Sequence, residues 1–280
     1  ANTTGTSNVA LGAYALDANT TANQNTAIGY ASLGANNTGG TNTAVGYTSL
    51  AANTDGASNT AVGWAALLAN IGGDYNTALG RSALLANTTG GNNVAVGANA
   101  LDANTTGNYN TALGKAAGGA VTTGVNNTLI GGLSGDALTE ASYNVALGYQ
   151  SLSGDTLGAR SVAIGTQALL SQNFTSATNA YNVAVGHSAG YAVSTGIENT
   201  LIGGLAGDAL TSSSDNTAVG YQALGSATTG NENTAIGHSA LFTNILSDRN
   251  VALGVDALRA HNQASSTDSY NTAVGYNAGA

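Results

Sequence analysis

The sequence contains no proline, no cysteine and no methionine, and only 7% of its residues are charged and 5% aromatic. Each shortage excludes something. Without cysteine there is no disulfide framework, no thiolate zinc site and no cysteine nucleophile. The five basic residues, Arg81, Lys115, Arg160, Arg249 and Arg259, lie far apart. They form no basic patch for a phosphate backbone, so nucleic acid is not an expected partner. No run reaches the roughly 18 apolar residues of a membrane-spanning helix, and no basic-then-apolar signal segment opens the chain. Direct membrane insertion is therefore not expected either. So few large side chains cannot fill a conventional core.

What is present is small and repetitive. Forty glycines and 42% hydrophobic residues accompany a formal net charge of −9. Such a chain is too apolar and too weakly charged for intrinsic disorder. Small residues instead suit a fold in which backbones approach closely and regularly. The acidic balance suits solubility outside a cell.

A core of the form Asn-[Thr/Val]-Ala-[Val/Ile/Leu]-Gly starts at Asn8, Asn25, Asn42, Asn59, Asn76, Asn93, Asn110, Asn127 and Asn144, each step being 17 residues. Ser161 opens the next core in place of Asn, and a 21-residue step leads to Asn182. Asn199, Asn216, Asn233 and Asn250 follow at 17, and a last step of 21 reaches Asn271. This gives 16 copies. Counting the Asn as position 1, position 9 is Leu (Leu16, Leu33, Leu50) or Gly (Gly118, Gly135, Gly190), and many units continue as Ala-Asn-x-x-Gly, as at Ala52, Asn53 and Gly56.

Each unit reads as a short strand, a glycine turn, a second apolar segment and a polar turn. Seventeen residues are too few for a helical hairpin repeat but suit one coil of a β-solenoid. Alternation sends Thr26 and Ile28 one way and Ala27 the other. The glycine at position 5 (Gly12, Gly29, Gly46) is expected to hold a positive φ. Asn at position 1 in 15 of 16 cores predicts an amide ladder along the stack. The apolar side chains at positions 4 and 9 are expected to fill the interior, with the Ala columns free for close contact between chains. The expected fold is an all-β parallel β-solenoid, or β-roll, of about sixteen 17-residue coils: one repetitive domain over 1–280, with longer excursions near 170–181 and 259–270.

The runs NTAVGYTSLAA at 42–52 and SVAIGTQAL at 161–169 resemble the left-handed parallel β-roll repeats in the heads of trimeric autotransporter adhesins. They are similar also to runs in bacteriophage tail-fibre proteins. The resemblance implies a left-handed roll, a homotrimer, and Val162 and Ile164 in the core. The adhesin-head repeat is typically about 14 residues, so the 17-residue unit here requires a longer side or turn in each coil.

Candidate sites are few. His187 and His238 share position 6 with Tyr30, Tyr47, Trp64, Tyr149, Tyr221 and Tyr276, which marks a structural or surface-stacking column. At three coils apart, roughly 14 Å, the two histidines cannot share a metal. Asp136 and Asp208 sit in the near-duplicate stretches NTLIGGLSGDAL and NTLIGGLAGDAL, where one carboxylate per distant unit is a turn former rather than a Ca²⁺ site. Asp17, Asp55, Asp74 and Asp102 fall at scattered positions, so no carboxylate pair for glycoside hydrolysis is indicated. Asn-x-Thr strings recur as repeat chemistry, serving as glycosylation acceptors only in a suitable host. Catalytic, cofactor-binding and metal residues are therefore expected to be none, and the chain is not expected to be an enzyme.

The functional expectation is the structural shaft or adhesive segment of an extracellular fibre, on a bacterial surface or a virion. Self-association as a homotrimer or filament and a cell-surface glycan or protein are the expected partners. The excursions carrying Phe174 and His261 are the places for specific contact, with His261 expected at the surface. The alternatives are an ice- or glycan-binding solenoid, or a solenoid glycan-degrading enzyme. Val9, Val94, Val145, Val162, Val183 and Val251 interrupt the Thr column that ice binding would use.

Overall fold

Every core becomes a three-residue strand, and the strands pair in parallel with neighbours a coil away, as Val9–Leu11 does with Thr26–Ile28 and Val145–Leu147 with Val162–Ile164. The computed structural model describes residues 2–261 and 267–280. The chain divides into two compact units, Ala1–Ala141 and Ser142–Ala280. In the first, the strands run in sequence order from Val9–Leu11 and Thr26–Ile28 through to Thr111–Leu113 and Thr128–Ile130. In the second they run from Val145–Leu147, Val162–Ile164 and Val183–Val185 through to Val251–Leu253 and Thr272–Val274. The fold is an all-β parallel β-solenoid, and no helix occurs among the described residues. Sixteen cores bound about fifteen coils, since a coil is the path from one core to the next.

Register follows the repeat. Thr26 pairs with Thr43, Ala27 with Ala44 and Ile28 with Val45. The 21-residue steps leave this untouched, because Val162 pairs with Val183 and Val251 with Thr272. The additional residues form a short second sheet instead. Gly158–Ala159 pairs with Thr178–Asn179, and Ser247–Asp248 pairs with Thr267–Asp268.

Four left-handed backbone positions turn each coil. In the coil beginning at Asn25 they are Gly29 at φ 129°, Ala31 at 52°, Leu33 at 49° and Thr41 at 58°. The glycine is obligatory, because a Cβ on Gly29 would lie 2.7 Å from the carbonyl carbon of Gly46 in the next coil. The other three are L-residues, each costing about 1–2 kcal/mol in this region. Their N–H groups are satisfied by adjacent coils: Ala31 donates to Ala13 (2.9 Å), Leu33 to Ser49 (3.1 Å) and Thr41 to Asn23 (3.0 Å). Leu33 is also completely buried, a gain of about 1.5–3 kcal/mol that offsets its own backbone strain.

The interior is filled by Ala at position 3 and Leu at position 9, as with Ala27, Ala44, Leu33 and Leu50. This corrects one expectation. Position 9 is inside, but the Val, Ile or Leu at position 4 points outward, and Val162 and Ile164 are half-buried while Ala163 between them is fully buried. The alternation itself holds; the narrow coil admits only the methyl group on its inner side. The Ala column is consequently enclosed within its own coil, not free to meet another chain.

Two amide ladders run through the interior. In the expected one, Asn25 Oδ1 accepts the backbone N–H of Asn42 (2.9 Å), and Asn25 Nδ2 donates to Gly39 O (3.0 Å). The second, at position 12, is side chain to side chain: Nδ2 of Asn53, Asn70, Asn87 and Asn104 donates to the Oδ1 of the Asn before it, at 2.8 Å in each case. It ends at Val121, and Asn104 Oδ1 is left buried without a partner. There the packing changes. Gly118 and Gly135 replace Leu at position 9, and Leu129 replaces Ala at position 3. A Cβ on Gly118 would stand 2.6 Å from Leu129 Cδ1, and one on Gly135 2.8 Å from Leu129 Cδ2. One leucine thus fills the room that two others vacate. Leu201 does the same between Gly190 and Gly207.

Candidate interaction face

The outward side of the strands is the most distinctive surface. Positions 2 and 4 project from it, as with Thr43 and Val45, Thr77 and Leu79, or Thr200 and Ile202. Leu79 is 46% exposed and Ile202 39%. A solvated sheet face carries polar side chains at such positions; this one carries apolar side chains at position 4 in both units. Leu113, Leu147, Ile236 and Leu253 continue the row within their own units.

Position 6, just after the glycine, flanks the face on one edge. Its aromatic residues stack along the coils: Tyr30 and Tyr47 lie 5.2 Å apart at 11°, and Tyr221 and His238 lie 5.5 Å apart at 28°. His238 is therefore a member of a stacked column, as its position suggested. The residue before each Asn, position 17, flanks the opposite end of the strand. It includes Tyr75, Tyr109, Tyr143 and Tyr181, all exposed. Position 17 carries no clear signal in the sequence, because Ser, Asn, Glu and Arg occupy it too.

The first excursion is drawn into the coil. Phe174 is buried, not presented at a surface, and its N–H donates to Asp155 Oδ1 (3.2 Å). Asp155 is itself completely buried. It accepts from Gly158 N (3.0 Å) and Gln172 Nε2 (2.6 Å) as well. Gln172 occupies the second-ladder position beside Ser161, the one core without Asn, and its Oε1 accepts from Asn182 Nδ2 (2.9 Å). The longer amide thus serves where the serine cannot reach. His261 stands in the same second-ladder position of its own coil, half-buried, with Asn271 Nδ2 3.2 Å from its Nε2. Residues 262–266 of that excursion lie outside the described residues.

Asp136 and Asp208 are the perturbed carboxyls. Burial pushes both above the ordinary carboxylate value, while a hydrogen bond from each residue's own backbone N–H pulls the other way. One oxygen of Asp136 is buried without a hydrogen-bond partner. Among the described residues no three His, Asp or Glu side chains converge to hold a metal ion. No helix there is long and apolar enough to cross a membrane. The Asn-x-Thr strings at Asn19, Asn36, Asn87 and Asn104 are ladder asparagines buried in the coil. Comparison with protein-family models and with curated proteins finds nothing that matches this chain.

Proposed function

We propose that the chain is the shaft or adhesive segment of an extracellular fibre, on a bacterial surface or a virion, built from parallel copies that associate through the outward sheet face as a homotrimer. The observation that carries this reading is the row of apolar side chains at position 4, exposed or half-buried in a single copy, beside an interior built mainly of Ala and Leu. Covering that row adds the apolar burial that Ala and Leu columns alone supply sparingly. A solenoid supplies length and stiffness without unique residues, and its structural role is non-catalytic. Light scattering on the purified chain, with cryo-electron microscopy of the particles, tests the reading. A mass of three chains is expected; a monomer with an intact fold overturns it.

One observation favours a second reading. Thr26, Thr43, Thr60 and Thr77 project outward from four consecutive coils, the kind of regular hydroxyl array that could meet an ice lattice. Measurement of thermal hysteresis distinguishes the two. Freezing-point depression by a monomeric chain would favour ice binding, and its absence together with a trimeric mass would favour the fibre.

A further inference from the structure

The first unit carries matched chemistry on the two edges of its outward face. Tyr75 precedes the strand Thr77–Leu79, and Arg81 follows it. Tyr109 precedes the strand Thr111–Leu113, and Lys115 follows it. Both tyrosines are highly exposed, 64% and 62%, and both cations are exposed. Each Tyr and its cation stand at opposite ends of one strand. Among the described residues, the cation–ring contacts within the chain belong to Arg160, Arg249 and Arg259, not to Arg81 or Lys115.

The second unit shows what this tyrosine column accepts. There Tyr143, Arg160 and Tyr181 directly precede three successive cores. The Arg160 guanidinium lies 4.8 Å from the centre of the Tyr143 ring and 6.0 Å from that of Tyr181. In the first unit the residue between the rings is Asn92, too short to fill the same space. Two coils separate Tyr75 from Tyr109, about 9.6 Å at the usual strand spacing, so each ring has a face for a cation of its own. Asn92 stands in the first unit where Arg160 stands in the second.

We propose that Tyr75 and Tyr109 of one copy receive Arg81 and Lys115 of a neighbouring copy that lies parallel and at the same coil level. The occupant is a second copy of this chain because the cations it would bring stand in the same coils as the rings that would receive them. No coil places Arg or Lys at both edges: Arg160 is matched by Thr166, and Arg249 by Val255. Edges of different chemistry make the contact heterologous, so it repeats around a closed ring of parallel copies. This rests on the self-association proposed above and adds the register.

The chain has no cysteine, so introduced pairs report contacts without background. On oxidation, Tyr75→Cys/Arg81→Cys should give covalent oligomers on a non-reducing gel, because the two ends of one strand are out of disulfide reach within a copy. Tyr75→Cys/Lys115→Cys, displaced by two coils, should not. In parallel, Tyr75→Asn/Tyr109→Asn places in both coils the residue that Asn92 already carries at this position, preserving the turn. It should raise the dissociation constant of the assembly about tenfold in sedimentation experiments, because each interface then lacks both rings that would receive a cation. Cross-linking by the first pair alone, with weakened assembly, supports the proposal. An assembled protein cross-linked by the displaced pair, or by neither, overturns the register and leaves self-association standing. A monomer in light scattering removes both.

Discussion

Gly203 and Gly204 are adjacent in the chain and opposite in what they tolerate. Gly203 has φ 135°, and a Cβ on it would collide with the carbonyl oxygen of Gly220. Gly204 meets only the Tyr221 ring, Cδ2 at 3.4 Å and Cε2 at 3.8 Å, ordinary separations. Gly203→Ala should therefore lower stability by about 3 kcal/mol or more, combining strained φ with a backbone clash. Gly204→Ala should stay within about 0.5 kcal/mol of the parent, since it displaces no neighbour and narrows the unfolded ensemble. Urea unfolding of the two variants makes the comparison. Asp155 supplies a second residue-scale test. Asp155→Ala takes the acceptor from the buried N–H groups of Gly158 and Phe174, while Gln172 Nε2 keeps Ser161 Oγ, and should cost about 2–4 kcal/mol. Asp155→Asn restores the residue usual at this position and should cost less, a ranking that thermal melts can check. The raised carboxyls of Asp136 and Asp208 carry a sign. Their folded forms hold the proton at a higher pH than the unfolded chain does, so the stability linked to that proton is present below the ordinary value of 3.8 and is lost as pH rises through the folded values. Asp136→Asn/Asp208→Asn should then raise the melting temperature at pH 7, with the advantage disappearing below about pH 3.8. A melting series across that range decides it.

At the scale of the coil, residues are chosen in sets. Where position 9 is Leu, position 3 is Ala and position 12 is usually Asn. Around Leu129 all three change, to Gly118 and Gly135, Leu129, and Val121 and Leu138. Gly135 already sits at φ 54°, close to the 52° of Leu50 at the equivalent place. Gly135→Leu therefore keeps the backbone direction, at the left-handed cost of about 1–2 kcal/mol that Leu50 also bears, but collides with Leu129 and Leu138, each 2.8 Å from the added Cβ. Leu129→Ala alone leaves a cavity costing about 3 kcal/mol. The double variant Leu129→Ala/Gly135→Leu should be more stable than the two single losses predict, by about 1–3 kcal/mol of favourable coupling. A double-mutant cycle measured by denaturant unfolding checks this; simple additivity would show that the set is not a packing unit.

For the molecule as a whole, the repeat predicts which lengths can be removed. Deleting residues 59–75 takes out one 17-residue coil and joins Ser58 to Asn76, so that both amide ladders and the strand register remain continuous. Stability in such arrays is approximately a sum of coil and interface terms. The thermal midpoint should fall by only a few degrees, roughly the effect of 1–2 kcal/mol in a chain of this size. Deleting residues 59–66 instead sets position 9 where position 1 belongs, placing Leu67 against the asparagine column. That variant should lose cooperative melting by circular dichroism.

The strand cores, their parallel order, the glycine column and the first amide ladder were legible because each recurs at one spacing, and stacking at that spacing has a single in-register solution. The second ladder was also in view, as the Asn of Ala52-Asn53-x-x-Gly56, but the spacing did not say which group it would meet. Other features had no sequence signature. Leu33, Ala31 and Thr41 adopt left-handed backbone although nothing in those side chains favours it; adjacent coils impose it by accepting and donating hydrogen bonds. Alternation separated Ala27 from Thr26 and Ile28 without saying which side was inside. The tertiary structure decided that, because a coil this narrow has room for a methyl group beside Leu33 and none for Ile28 as well. Phe174 looked like a surface insertion and was drawn inward by the buried Asp155, a partner 19 residues away. Periodicity in the chain thus determined what stacks on what, while the width of the coil decided which side chains its interior admits.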